Sequence, residues 1–125
     1  MRFFREGEYI PGAIFVFGAN CAGRHGKSAS KTAKERFGAI YGKGVGLMGQ
    51  SYAIPTKDWH LNVLDILIIE SYVADFVEFT HSHKDLEFQV TALGTGLAGY
   101  PHSAIAPLFK QAINCYFDER WTPFL

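Results

Sequence analysis

The sequence predicts an α/β protein in three layers, with a mixed, largely parallel central sheet. Three observations carry this. Short apolar runs rich in β-branched and aromatic residues recur along the chain. The first and third are followed by a glycine-rich loop and the second by the polar stretch Thr56-Lys57-Asp58, and a helix-like segment follows each loop. The 125 residues match the common size of one domain, so 1–125 is expected to be a single domain.

Pro11 and Gly12 open a turn, and Ala13 to Phe17 follows as a continuous apolar run, the pattern of a strand buried on both faces. Gly18 ends it. After the loop 19–27, Ser28 is placed as N-cap of a helix from Ala29 to about Phe37, closed by Gly38. The stretch "GKGVGLMGQ", 42–50, holds four glycines and reads as a second flexible loop. Ser51 to Ile54 is a second strand, ended by Pro55. A long helix is expected from about Leu61 to His81, because Ile66, Ile69, Val73, Phe76 and Val77 form one apolar stripe.

Leu86 to Leu93 is the third strand, and "GTGLAGYP", Gly94 to Pro101, is the third glycine loop. A last helix is expected from about Ser103 to Phe117, with Pro107 tolerated near its first turn. The tail "DERWTPFL" is ambiguous. In open α/β sheets ligands bind outside the carboxyl ends of the strands, so three loops at one edge make one site.

Composition removes several classes of function. Lys plus Arg equals Asp plus Glu, 12 against 12, so no basic excess drives non-specific nucleic-acid binding. A nucleotide ligand remains open. No apolar run reaches the roughly 18 residues of a membrane span, and the first residues lack the apolar core of a signal peptide. Cys21 and Cys115 have no metal-like spacing and read as reduced thiols of a cytoplasmic protein. No metal or cofactor is expected. His81 and His83 look like a metal pair, but no third ligand is evident, and solvent explains them better.

"GANCAGRHGKSASKT", Gly18 to Thr32, contains Gly26-Lys27-Ser28, the ending of a P-loop. The motif needs a glycine five residues before Gly26, and that position is Cys21. It is not a P-loop. The physics still applies: glycines allow close approach to a phosphate, and a helix N-terminus offers free N–H groups. His25 and Arg24 have either a phosphate contact or a surface position open to them. Tyr100 has either stacking on a ligand or core packing. Trp59 has either covering the site or anchoring the next helix.

Three stretches carry a resemblance to the macrodomains, ADP-ribose-binding α/β modules. "FVFGANCAGRHGKSASKTAKERFG" resembles the macrodomain strand that ends in an Asn-containing loop, then glycines, then a small-residue helix. "SYAIPTKDWH" is similar to the Pro-Thr-Lys of the DNA ADP-ribosylglycohydrolase antitoxins and to a related Thr-Lys of the terminal ADP-ribose glycohydrolases. "VTALGTGLAGYPHSAIAPLF" resembles the loop that wraps the ligand phosphates. The set also looks like small phage-type macrodomain-like proteins, and it covers most of residues 13–110.

The resemblance implies roles. Asn20, counted with Lys57 and Asp58 among the catalytic residues, would sit near the distal ribose; Gly18, Ala19, Gly23, Gly26 and Ser28 would frame the ligand. Gly94, Thr95, Gly96, Leu97, Ala98 and Gly99 would hold the diphosphate, with Thr56 and Tyr100 beside the ligand. Lys57 would be the nucleophile. A partly buried site favours a neutral amine, which can form a covalent sugar adduct. The terminal hydrolases place an acid where this chain has Ala98; the antitoxins have glycines there. Asp58, beside Lys57, is the substitute acid or a solvated carboxylate. Expected partners are ADP-ribose or a related nucleotide, free or attached to nucleic acid or protein. The rival expectation is a non-catalytic reader or sponge of an NAD-derived nucleotide.

Overall fold

A computed structural model describes residues 2–125. Its centre is the strand β2 (Ile14–Asn20), where the unbroken apolar run requires cover on both faces. β2 pairs in parallel with β4 (Ser51–Lys57) on one side and β5 (Phe88–Val90) on the other. The six-stranded sheet has the order β1-β6-β5-β2-β4-β3. β1 (Arg2–Phe4) and β6 (Cys115–Asp118) continue the parallel side, and β3 (Gly46–Met48) is an antiparallel edge.

Alternation along β2 divides the core. Ile14 and Val16 join the cluster under the helix α2 (Ile66–Ser82), with Val73, Phe76, Phe109 and Trp121. Phe15, Phe17 and Ala19 join the opposite cluster, with Ala33 of the helix α1 (Ser28–Arg36). Helices therefore cover both faces of a largely parallel sheet. Phe76 is fully buried and meets Tyr52, Phe88 and Phe109 through ring-edge contacts, with centroids 5.0–5.8 Å apart. Burial of one such ring contributes roughly 1.5–3 kcal/mol.

Several expected boundaries move. β4 runs through Pro55 to Lys57. Gln50 O accepts from Phe15 N at 2.8 Å, so the backbone groups of Tyr52 and Ile54 face β2, and a register shift after Pro55 then turns the Lys57 carbonyl to Cys21 N. Pro55, odd-numbered, turns its donor-less nitrogen the other way, beyond Ala53, the last partner of β3. The long helix begins at Ile66 instead of Leu61, because Asp65 Oδ1 caps it by accepting from Leu67 N at 2.9 Å. Leu61 instead turns the chain at φ 66°, Val63 bridges Lys57 in antiparallel fashion, and Leu64 N donates to Thr56 O. Lys27, not Ser28, is the N-cap of α1, and no side chain completes that cap.

The expected helix 103–117 is a correction. Only α3 (His102–Ile105) and a 3-10 turn, Ala106–Phe109, are helical. Asn114 then takes φ 56°, which no helix accommodates, and Cys115 to Asp118 enters the sheet between β1 and β5. The glycine stretch 42–50 likewise contains a strand, β3. The tail forms a 3-10 turn, Glu119–Phe124, that drives Trp121 into the core with no exposed surface. No helix among the described residues is long and apolar enough to cross a membrane.

Candidate functional site

Because β2, β4, β5 and β6 are mutually parallel, Asn20, Lys57, Val90 and Asp118 end at the same edge of the sheet. Over this edge lies a cleft of about 960 Å³. It crosses four strand ends, from Asp118 of β6 to Lys57 of β4. Three inter-strand spacings make that span roughly 14 Å.

Of the expected residues, Gly18, Ala19, Asn20, Gly26, Ser28, Thr56, Lys57, Gly94, Thr95, Gly96, Leu97 and Ala98 line the cleft. The walls differ in kind. Gly94 to Ala98 forms a loop closed by Tyr100 N to Gly94 O at 2.9 Å and Gly99 N to Gly96 O at 3.0 Å. The backbone N–H groups of Gly94, Thr95, Gly96, Leu97 and Ala98 meet no acceptor among the described residues. On the α1 side, Lys27, Ser28, Ala29 and Ser30 line the cleft, so the uncapped first turn of that helix belongs to it.

Gly26 and Gly96 are informative. Neither has positive φ, and a Cβ on either would meet nothing within 4 Å. Neither backbone conformation nor protein packing asks for glycine there. Ser28 and Leu61 point the same way from the opposite direction. Both hold positive φ, 54° and 66°, in side-chain-bearing residues that line the cleft. Such strain clusters at functional sites.

Asn20 lines the cleft while its amide closes the loop onto Arg24 in both directions. Lys57 ends β4 half-buried, and its amine has no hydrogen-bond or ion-pair partner among the described residues. Gly23, Asp58, Gly99 and Tyr100 do not line the cleft. Gly23 has φ 69° and receives Gly42 N at its carbonyl; a Cβ there would collide with the backbone of Lys43. Asp58 Oδ1 accepts from His60 N at 2.8 Å and Asn62 N at 2.9 Å, which makes it the brace of a turn. The bonds from Asn62 hold its carboxyl below the ordinary range. The structure thus gives Asp58 a turn-bracing role outside the cleft lining. Gly99 supplies the turn after Gly96, and Tyr100 donates to Leu64 O at 2.6 Å, tying the third loop to the approach of α2.

Other open alternatives resolve. His25 is neither surface nor ligand wall: it is buried, with Nε2 against Ile40 O at 3.1 Å and Lys43 O at 2.8 Å. Its ring stands edge-on to Phe17. It braces the first glycine loop on the second. His81 and His83 are held by the carbonyls of Gln111 and Phe79. Trp59 is exposed and outside the cleft lining.

Sequence reasoning missed the β6 end. Glu6 to Tyr9 forms a wall there, fixed by Gln89, which donates to Glu8 O at 2.6 Å and accepts from Ile10 N at 3.0 Å. Asp118 is buried and receives Arg120 through its backbone N, Nε and a terminal amine at 2.8–2.9 Å. Burial pushes the carboxyl up, but the Arg120 bonds outweigh it and hold it below its ordinary value. His102 also lines the cleft. The available signal was the alternation Cys115-Tyr116-Phe117-Asp118, a short strand ending in an acid. Comparison of the chain with protein-family models, curated proteins and solved structures gives no match.

Proposed function

We propose that the cleft binds ADP-ribose or a nucleotide derived from it. The observation that carries this is the run of five open backbone N–H groups, Gly94 to Ala98, in the wall of a cleft crossing four strand ends. Consecutive free N–H groups make an anion receptor, and the uncapped α1 N-terminus adds a positive dipole end. An anionic middle with roughly 14 Å of cleft suits an elongated ligand, a diphosphate with a different group at each end. Gly26 and Gly96 leave room for that ligand to approach the backbone. In this reading the resemblance of the sequence motifs to macrodomains implies a distal ribose near Asn20 and Lys57.

In the hydrolytic form of this reading, the Lys57 amine bonds to the anomeric carbon of the distal ribose. The bond from that carbon to the modified group breaks, and the leaving group takes up a proton. Water then releases ADP-ribose and restores the amine. One observation favours the second reading, capture without cleavage. The carboxylates lining the cleft are Glu6, Glu8 and Asp118, and none belongs to β4 or the segment after it. Among the described residues, no carboxylate that lines the cleft stands at the Lys57 end to protonate a leaving group.

The test is incubation of an ADP-ribosylated thymidine oligonucleotide and an ADP-ribosylated protein with the parent and with Lys57→Ala. Release that needs Lys57 supports hydrolysis. Binding without release supports capture. No binding of ADP-ribose or its products overturns both.

A further inference from the structure

His102 opens α3, directly after the third glycine loop, and lines the cleft beside Asp118. Its Nδ1 lies 3.0 Å from Nε1 of Trp121. An indole N–H only donates, so Nδ1 is the acceptor and the imidazole proton sits on Nε2. Trp121 is fully buried, packs on Phe109 and Phe117 and does not line the cleft; the ring is therefore held from its core side. Nε2 has no partner among the described residues. Asp118 on the same wall offers acceptor lone pairs, its charge balanced by Arg120.

We propose that His102, locked by Trp121 as the Nε2–H tautomer, donates a hydrogen bond to a sugar hydroxyl of the bound nucleotide and so helps set ligand specificity. A hydroxyl both accepts and donates, which suits the His102 donor together with the Asp118 acceptor. A phosphate would accept from His102 but meet the Asp118 carboxylate. This rests on reading the cleft as an ADP-ribose-type site.

The variants separate a ligand role from a packing role. His102→Asn keeps an acceptor near Nδ1 for Trp121 and removes the donor at Nε2. His102→Gln restores a donor near the Nε2 position. Calorimetric titration with ADP-ribose is expected to show His102→Asn about tenfold weaker than the parent, at an unchanged thermal midpoint, and His102→Gln close to the parent. Titration with ADP and its 2′-deoxy and 3′-deoxy forms assigns the acceptor. One deoxy ligand is expected to bind the parent and His102→Asn equally.

Nitrogen-15 spectra of the ligand-free parent are expected to show the proton on Nε2, and Trp121→Phe is expected to give a mixture of tautomers. Equal ADP-ribose affinity in the parent and His102→Asn overturns the inference while leaving the cleft reading intact. A full His102→Asn penalty with both deoxy ligands overturns the hydroxyl assignment. A parent that binds no ADP-ribose overturns the cleft reading, and the ligand half of this inference with it. A proton on Nδ1 overturns the tautomer lock whatever binds.

Discussion

Asn20 and Arg24 close a ring at the end of β2: Asn20 Oδ1 accepts from Arg24 N at 3.0 Å and Asn20 Nδ2 donates to Arg24 O at 3.1 Å. One amide thus satisfies both backbone groups of a residue four positions on, and the first wall of the cleft takes its shape from it. Asn20→Ala is expected to lower stability by roughly 1–2 kcal/mol in urea denaturation, from two lost hydrogen bonds in a partly solvated site. Asn20→Asp keeps the acceptor but sets a carboxylate against Arg24 O, so it is expected to recover only part of the loss. An unchanged denaturation midpoint in both variants would count against this bracing role.

The glycines divide into two groups with opposite expected behaviour. Gly26→Ala and Gly96→Ala meet open space at ordinary φ, so stability is expected to hold or rise by about 0.4–1 kcal/mol. Gly23→Ala would collide with Lys43 at φ 69°, and Gly44→Ala with the Asn20 carbonyl. Both are expected to destabilise by more than that gain. Thermal denaturation of the four variants checks the division. A destabilised Gly96→Ala would show that the fold, not a ligand, requires that glycine.

Asp118 gives the chain an acid-sensitive contact at the β6 end. Its pKa is held below the ordinary value of 3.8 by Arg120. The stabilisation is fully present above that value and fades as pH falls through the lower folded value. Arg120 is half exposed, which limits the effect to on the order of 1–2 kcal/mol near pH 7. Asp118→Asn is expected to be less stable than the parent near neutrality, the gap narrowing as pH falls below the ordinary carboxyl value of 3.8. A gap that stays constant with pH would mean packing, not charge, accounts for it.

Much of this architecture is legible in the sequence, and for a physical reason. Ile14 to Phe17, Ser51 to Ile54 and the stripe on α2 are local patterns that need no partner to be recognised. The edge strands are different. Arg2 to Phe4 is a strand because it pairs with Tyr116 to Asp118, and nothing within three residues announces that. The region 103–117 carries enough apolar residues to suggest a helix, while the break at Asn114 is a backbone choice that the sheet enforces. The candidate site divides likewise. Parallel strands bring their following loops together, so Asn20, Lys57 and Gly94 to Ala98 could be placed at one edge. Glu6 to Tyr9, His102 and Asp118 join them only through contacts far apart in sequence, such as Gln89 with Glu8 and Trp121 with His102.

The central claim is an ADP-ribose-type ligand lying against the Gly94–Ala98 loop. Its most direct test is calorimetric titration of ADP-ribose into the parent and into Gly96→Ala. The expected result is one saturable site in the parent, weakened at least about tenfold in Gly96→Ala while its thermal midpoint holds. Contradiction would be no binding to the parent, or equal binding to both proteins.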